Sequence, residues 1–234
     1  MLGVWGQILK PFKLFFFYFG FDVFFGNKNQ DAWVTKEVFN FKRKGFFVDL
    51  AATDGVHENN TFFLEKRLGW KGICIEPNKN FYKKLIKNRS AKCLCQIISN
   101  KKSNVEYLAN GGIGGIIGDE FDNNEKKRKK LIQKAKKNGN IEKRETSSFV
   151  DVLKKTKMPK RIDYLSLDVE GAEYEIMKSI DYKKIRINNI IFEAKHFDGT
   201  FVEGKKLQEV KEILISNRYT LKKVDKENIL AIKN

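Results

Sequence analysis

The chain has 234 residues, 41% hydrophobic and 32% charged, with three prolines. That excludes wholesale disorder, collagen-like repeats and a multi-span membrane protein, and it is long enough for one domain to bury its core without disulfide or metal staples. Lys and Arg number 46 against 29 Asp and Glu, a net charge of +17, which points to an anionic partner such as nucleic acid, an acidic membrane or a phosphorylated substrate.

In chain order, residues 1–40 come first as an aromatic-rich segment. The run from Leu14 to Phe21 is almost wholly aromatic and follows Lys10 and Lys13, as the apolar part of a signal peptide would. It reaches Phe25 only by crossing Asp22, short of the roughly 18 residues that span a bilayer. Asn27 to Asp31 is polar and offers no small-residue cleavage site. Three readings stay open: a segment packing on the domain, a membrane-surface anchor, and a signal or anchor sequence. Cys74, Cys93 and Cys95 make neither a disulfide framework nor a zinc knuckle. They read as buried small hydrophobes and favour a reducing compartment, hence a cytoplasmic protein, membrane-associated if its N-terminus docks.

Residues 41–234 read as one α/β domain. The spacing predicts strands over Gly45–Leu50, Gly72–Glu76, Cys93–Ile98, Ile162–Asp168 and Asn189–Glu193. Helices are predicted over His57–Leu68, Lys79–Asn88, Val169–Ile180 and Val202–Ser216, and a closing hairpin over Tyr219–Val224 and Asn228–Ile232. Strands alternating with helices imply a mostly parallel sheet with helices on both faces. Gly111–Gly118 reads as a loop too rich in glycine for a helix. A lysine-rich insertion is expected at about 119–145; within it, Glu125–Arg144 carries ten basic residues against two acidic ones and reads as a solvated helix or flexible insertion.

The first strand ends in small residues, Ala51, Ala52 and Gly55, which let backbone N–H groups approach a nucleotide-like ligand at the carboxyl end of the sheet. The turn is neither G-x-G-x-x-G nor a P-loop, which weakens a nicotinamide or flavin reading and argues against a nucleoside triphosphatase. Glu76 ends the second strand, where an acid accepts hydrogen bonds from ribose hydroxyls; the plainer reading is a cap for the helix after Pro77. Asp168, Glu170, Glu173, Glu193 and His196 converge if their strands are neighbours. Histidine is the natural general base near neutral pH, although His196 also reads as a surface loop residue.

The segments Gly45–Gly55, Asn59–Glu65, Gly69–Asn78 and Ile162–Glu173 together resemble FkbM-type methyltransferases. The resemblance implies a class I, S-adenosylmethionine-dependent methyltransferase with a seven-stranded Rossmann-like sheet. It implies a hydroxyl acceptor on a sugar, a glycan or another small metabolite. By position, Asp49, Ala51, Ala52, Thr53, Asp54 and Gly55 would cradle the methionine part of the cofactor. Glu76, with Pro77 and Asn78 beside it, would hold the ribose, and Ile98 and Ser99 would border the adenine. Asp168 and Glu170 would face methyl donor and acceptor, with Asp168, Glu170 or His196 as the base. Two positions depart from the family: Ala-Ala-Thr-Asp-Gly replaces the usual Gly-Ala-Asn-x-Gly, and Glu193-Ala-Lys-His196 displaces the family's Glu-His by two. No metal ligand set is assigned, though a divalent cation bridging carboxylates and acceptor oxygens is an open option.

Two alternatives stand beside this. An RNA 2′-O-methyltransferase would use a Lys-Asp-Lys-Glu tetrad, of which Asp168 and Lys195 supply two places, while Lys222 and Lys223 lack the matching Glu. A non-catalytic basic module would bind nucleic acid or acidic membrane. The acidic mouth is a poor bed for a phosphate backbone, which disfavours nucleic acid across the site.

Overall fold

The apolar runs that end in small or acidic residues become the carboxyl-terminal mouth of a parallel sheet. In a computed structural model describing residues 11–111, 114–118, 121, 126–194 and 204–234, the chain builds two sheets. The larger holds β1 (Phe46–Leu50), β2 (Lys71–Ile75), β3 (Lys92–Leu94), β8 (Arg161–Leu167), β9 (Arg186–Glu193), β10 (Tyr219–Lys223) and β11 (Asn228–Lys233), in the order β10-β11-β9-β8-β1-β2-β3. All neighbours from β9 to β3 pair in parallel, and β11 pairs antiparallel with both β9 and β10. The chain leaves β1 toward β2 and β3 and returns to β8 on β1's other side. The β1/β8 junction is therefore the switch point, where a parallel sheet opens a crevice.

The smaller sheet has the order β4-β7-β5-β6, from β4 (Ile97–Ser99), β5 (Asn104–Leu108), β6 (Gly115–Ile117) and β7 (Ile141–Ser148). It corrects the expected single strand Cys93–Ile98. Pairing with β2 ends at Leu94, and the chain resumes as β4 against β7. The glycine-rich stretch supplies β6, which the loop expectation missed, and the basic segment forms α5 (Lys126–Lys137) followed by β7.

Two apolar clusters cover the two faces of the larger sheet. Val48, Leu50, Ile75, Leu165 and Leu167 face one cluster, with α6 (Phe149–Thr156), α7 (Glu173–Ser179) and α8 (Lys205–Ser216). Phe47, Cys74 and Tyr164 face the other, with α3 (Phe62–Leu68) and α4 (Lys79–Asn88). The N-terminal elements join that second face. α1 (11–18) buries Phe17, and α2 (Gln30–Trp33) runs into a wider turn over Val34–Val38.

Two helices start later than their periodicity predicts. His57–Thr61 stays a turn because Asn59 folds back, its Oδ1 accepting from Thr61 N (3.0 Å), with Glu58 at φ 51°. α7 begins only at Glu173, because Glu170 and Gly171 take positive φ values (57° and 114°).

Candidate active site

A cleft opens at the switch point, lined from β1 by Leu50, Ala51 and Thr53, from β2 by Ile75, Glu76 and Pro77, and from the β8 loop by Val169, Glu170 and Ala172. Phe81, Ile97 and Ile98 supply apolar wall, and Tyr107, Gly115 and Ile116 of the smaller sheet close the opposite side. An apolar wall with a few fixed polar groups is the lining expected of a small-ligand site.

Glu76 is the polar centre of the cleft, 4% exposed. Its Oε2 accepts from Thr53 N (2.8 Å) and its Oε1 from Asn78 N (2.7 Å). Burial, the largest cause, pushes its carboxyl up to about 7, against those two N–H groups. Asn78, not Glu76, caps α4, its Oδ1 accepting from Asn80 N and Phe81 N. Ala51 and Thr53 sit at φ 68° and 50°, so the turn presents its backbone rather than bulky side chains to the cleft.

Some residues expected to touch the cofactor serve the turn from beneath instead. Asp49 does not line the cleft, because strand alternation points it to the same face as Phe47. There its carboxylate accepts from Asn59 Nδ2 (2.9 Å) and Thr61 Oγ1 (2.6 Å). Burial raises the Asp49 carboxyl despite the nearby Arg89. The Arg89 side chain is fully buried and donates to Glu65 (2.8 Å), Asn59 Oδ1 (2.9 Å), Thr61 Oγ1 (2.9 Å) and Gly55 O (3.2 Å). Gly55, at φ 80°, packs on this arginine: a Cβ there would lie 2.7 Å from both Arg89 Cγ and Leu85 Cδ1. Asp54 Oδ1 accepts from Val56 N (3.0 Å) and His57 N (2.7 Å). Ala52 and Ser99 are buried behind the wall, while Ile98 forms part of it.

Asp168, Glu173 and Glu193 converge at the ends of β8 and β9, each with an oxygen within 4.8 Å of the others. Glu173 is buried and also holds the loop, Oε1 accepting from Val169 N (2.7 Å) and Oε2 from Gly171 N (2.9 Å). Glu170 takes the neighbouring place on the cleft wall. Three hard carboxylate donors can hold a divalent cation. His196 and Lys195 lie outside the described residues. Lys222 of β10 lies over the Trp33 ring, 5.5 Å from its centroid.

Arg144, which the sequence hid among surface lysines, braces the wall of the cleft from behind. Its guanidinium donates to Pro77 O and Cys95 O and lies 5.6 Å from the Tyr107 ring centre, tying β7 to the end of β2.

The sequence model of the methyltransferase FkbM domain matches residues 49–221. The chain belongs to the FkbM methyltransferase family. This FkbM protein is an S-adenosylmethionine-dependent methyltransferase, and its larger sheet is the Rossmann-like fold of class I enzymes. That overturns the non-catalytic reading. An FkbM methyltransferase from Methylobacillus flagellatus is 12% identical, TM-score 0.46, with the match covering 81% of this chain and 43% of that one. A precorrin-6y C5,15-methyltransferase from Geobacter metallireducens is 12% identical over 87% of each chain, TM-score 0.43. A TehB-like methyltransferase from Corynebacterium glutamicum is 9% identical over 99% of each, TM-score 0.41. No curated protein matches the FkbM chain.

Proposed function

We propose that this enzyme methylates a hydroxyl oxygen of a sugar, glycan or other small metabolite, in the cytoplasm. The observation that supports the reading is the carboxylate cluster at the ends of β8 and β9, beside the cleft assigned to the cofactor. S-adenosylmethionine, when bound, supplies an electrophilic methyl group. Each oxygen of Glu76 keeps a further lone-pair direction beyond its backbone N–H, enough to accept the ribose hydroxyls. Phe81, Ile97 and Ile98 would provide apolar wall for adenine, and the exposed backbone at Ala51 and Thr53 would admit the methionine part.

The chemistry then needs an aligned acceptor and a group to take the hydroxyl proton. Asp168 is exposed at the mouth while Glu173 is buried and occupied with the loop, so Asp168 is the better placed base, with Glu170 orienting the acceptor. A cation held by Asp168, Glu173 and Glu193 would lower the hydroxyl pKa by the same route. The three free cysteines suit a reducing compartment. Incubation with methyl-labelled S-adenosylmethionine against pools of glycans, small sugars, lipids and RNA tests the reading. Label in the carbohydrate pools is expected; label in RNA alone overturns it.

A further inference from the structure

The outer face of α1 takes no part in the cleft. Phe17, on its inner face, is 2% exposed and packs on Phe25, Phe62 and Phe63. Arg67 lies 4.6 Å from the Phe17 ring centre and donates to Phe17 O (2.6 Å) and Phe21 O (2.8 Å). The helix is thus fastened along the domain surface. Its other side presents Phe12, Phe15, Phe16, Tyr18 and Phe19, with Phe21 just beyond, all between 46% and 70% exposed. Positions 12, 15, 16 and 19 share one helical stripe. Single exposed aromatics are ordinary, but six within ten residues mark an interaction surface.

We propose that this stripe seats on an anionic lipid bilayer, with α1 lying in the plane of the membrane surface. α1 is fastened along its length to the domain surface by Phe17 and Arg67, which leaves its outer stripe free to lie on a membrane surface. Aromatic rings suit the boundary between headgroups and acyl chains. Charge supplies the second signal that stable surface binding needs. Residues 1–44 hold seven Lys and Arg against three Asp and Glu. Exposed Lys13 lies on α1 itself, next to Phe12 in sequence, and donates to Phe24 O (3.2 Å), while exposed Lys36 lies 5.3 Å from the Phe24 ring centre. Of the three acids, Asp31 is buried, its carboxylate accepting from Phe25 N and Ala32 N; Asp22 and Glu37 are exposed. The +17 of the whole chain adds long-range attraction to an anionic leaflet. In sequence, Trp5, Ile8 and Leu9 continue the same three- and four-residue spacing upstream.

Co-sedimentation of the full chain with vesicles tests this. Vesicles of phosphatidylcholine containing about 30% phosphatidylglycerol should pull the protein down, and pure phosphatidylcholine should do so more weakly. The variant Phe12→Ser/Phe15→Ser/Phe19→Ser should bind the anionic vesicles at least about tenfold more weakly, because each Phe withdraws large apolar area. It should keep its cofactor-induced thermal shift, since none of the three lines the cleft. Failure of the unchanged protein to sediment with anionic vesicles overturns the proposal, as does equal binding by the variant. It is equally overturned if light scattering finds a dimer that the three serines dissolve and that leaves no vesicle binding.

Discussion

Glu76 carries the site's pH dependence. Its folded value of about 7 lies above the ordinary 4.5 because burial disfavours the charged form. With the folded value raised, the native state holds the extra proton between those values, so the unliganded fold loses stability as pH climbs from 4.5 toward 7. Cofactor binding should run the other way. Ribose hydroxyls need an ionised acceptor, so affinity should strengthen as pH rises through 7 and be about tenfold weaker at pH 6 than above pH 8. Calorimetric titration with S-adenosylmethionine checks this, and Glu76→Gln should flatten the profile. Asp168 is expected to separate from Glu76 in kind. Asp168→Asn should cut kcat by roughly 10²- to 10⁴-fold while leaving cofactor affinity nearly unchanged, as expected of a lost proton acceptor. A similar loss of affinity would reassign Asp168 to binding.

At the scale of elements, the turn after β1 stands on Arg89. One guanidinium ties the end of α4 to α3 through Glu65, and to the turn through Gly55, Asn59 and Thr61. Burial alone would push the Glu65 carboxyl up, but Arg89 and the Ser90 N–H outweigh it and hold Glu65 below its ordinary range. Arg89→Leu removes the buried cation that offsets two buried acids, Glu65 by contact and Asp49 by its field, and should cost about 3–5 kcal/mol. In a domain of this size that lowers Tm by roughly 10 °C, measurable by calorimetry. Gly55→Ala should destabilise through the same contact, since its methyl meets Arg89 and its φ of 80° disfavours any L side chain. The loop after β8 has a comparable constraint. A Cβ at Gly171 would meet the Phe121 carbonyl oxygen, so Gly171→Ala should displace Glu170 and depress activity more than stability.

For the whole molecule, the cleft exists because two sheets meet. The larger sheet provides the mouth of β1, β2 and β8, and the smaller one provides the facing wall at Tyr107 and Gly115. Arg144 fastens them together. Arg144→Ala removes charged hydrogen bonds to two carbonyls and should weaken cofactor binding by about tenfold or more. A thermal-shift series reads both effects. Cofactor at about 100 times its Kd should stabilise the protein by about 2.7 kcal/mol, and this gain should shrink in Arg144→Ala and Glu76→Ala but persist in Asp168→Asn.

By itself the sequence determined the layered α/β plan. Short, largely apolar runs such as Gly45–Leu50 and Gly72–Glu76, alternating with helical stretches, specify a two-sided parallel sheet, and the small residues after β1 and the acid after β2 mark its ligand-binding mouth. These signals are local, set by side-chain size and period. What the tertiary structure decided is non-local. Strand alternation sets Asp49 on the face of Phe47, but its partners there, Asn59 and Thr61 with Arg89 behind them, lie ten to forty residues away in sequence and were brought to it only by the fold. Period and composition also say nothing about pairing partners. Gln96 and its neighbours could equally have prolonged β3, and only pairing with β7, nearly fifty residues later, split that strand and formed the second wall of the cleft. Arg144 looked like one more surface cation for the same reason: the carbonyls it binds, on Pro77 and Cys95, were brought to it by the meeting of the two sheets.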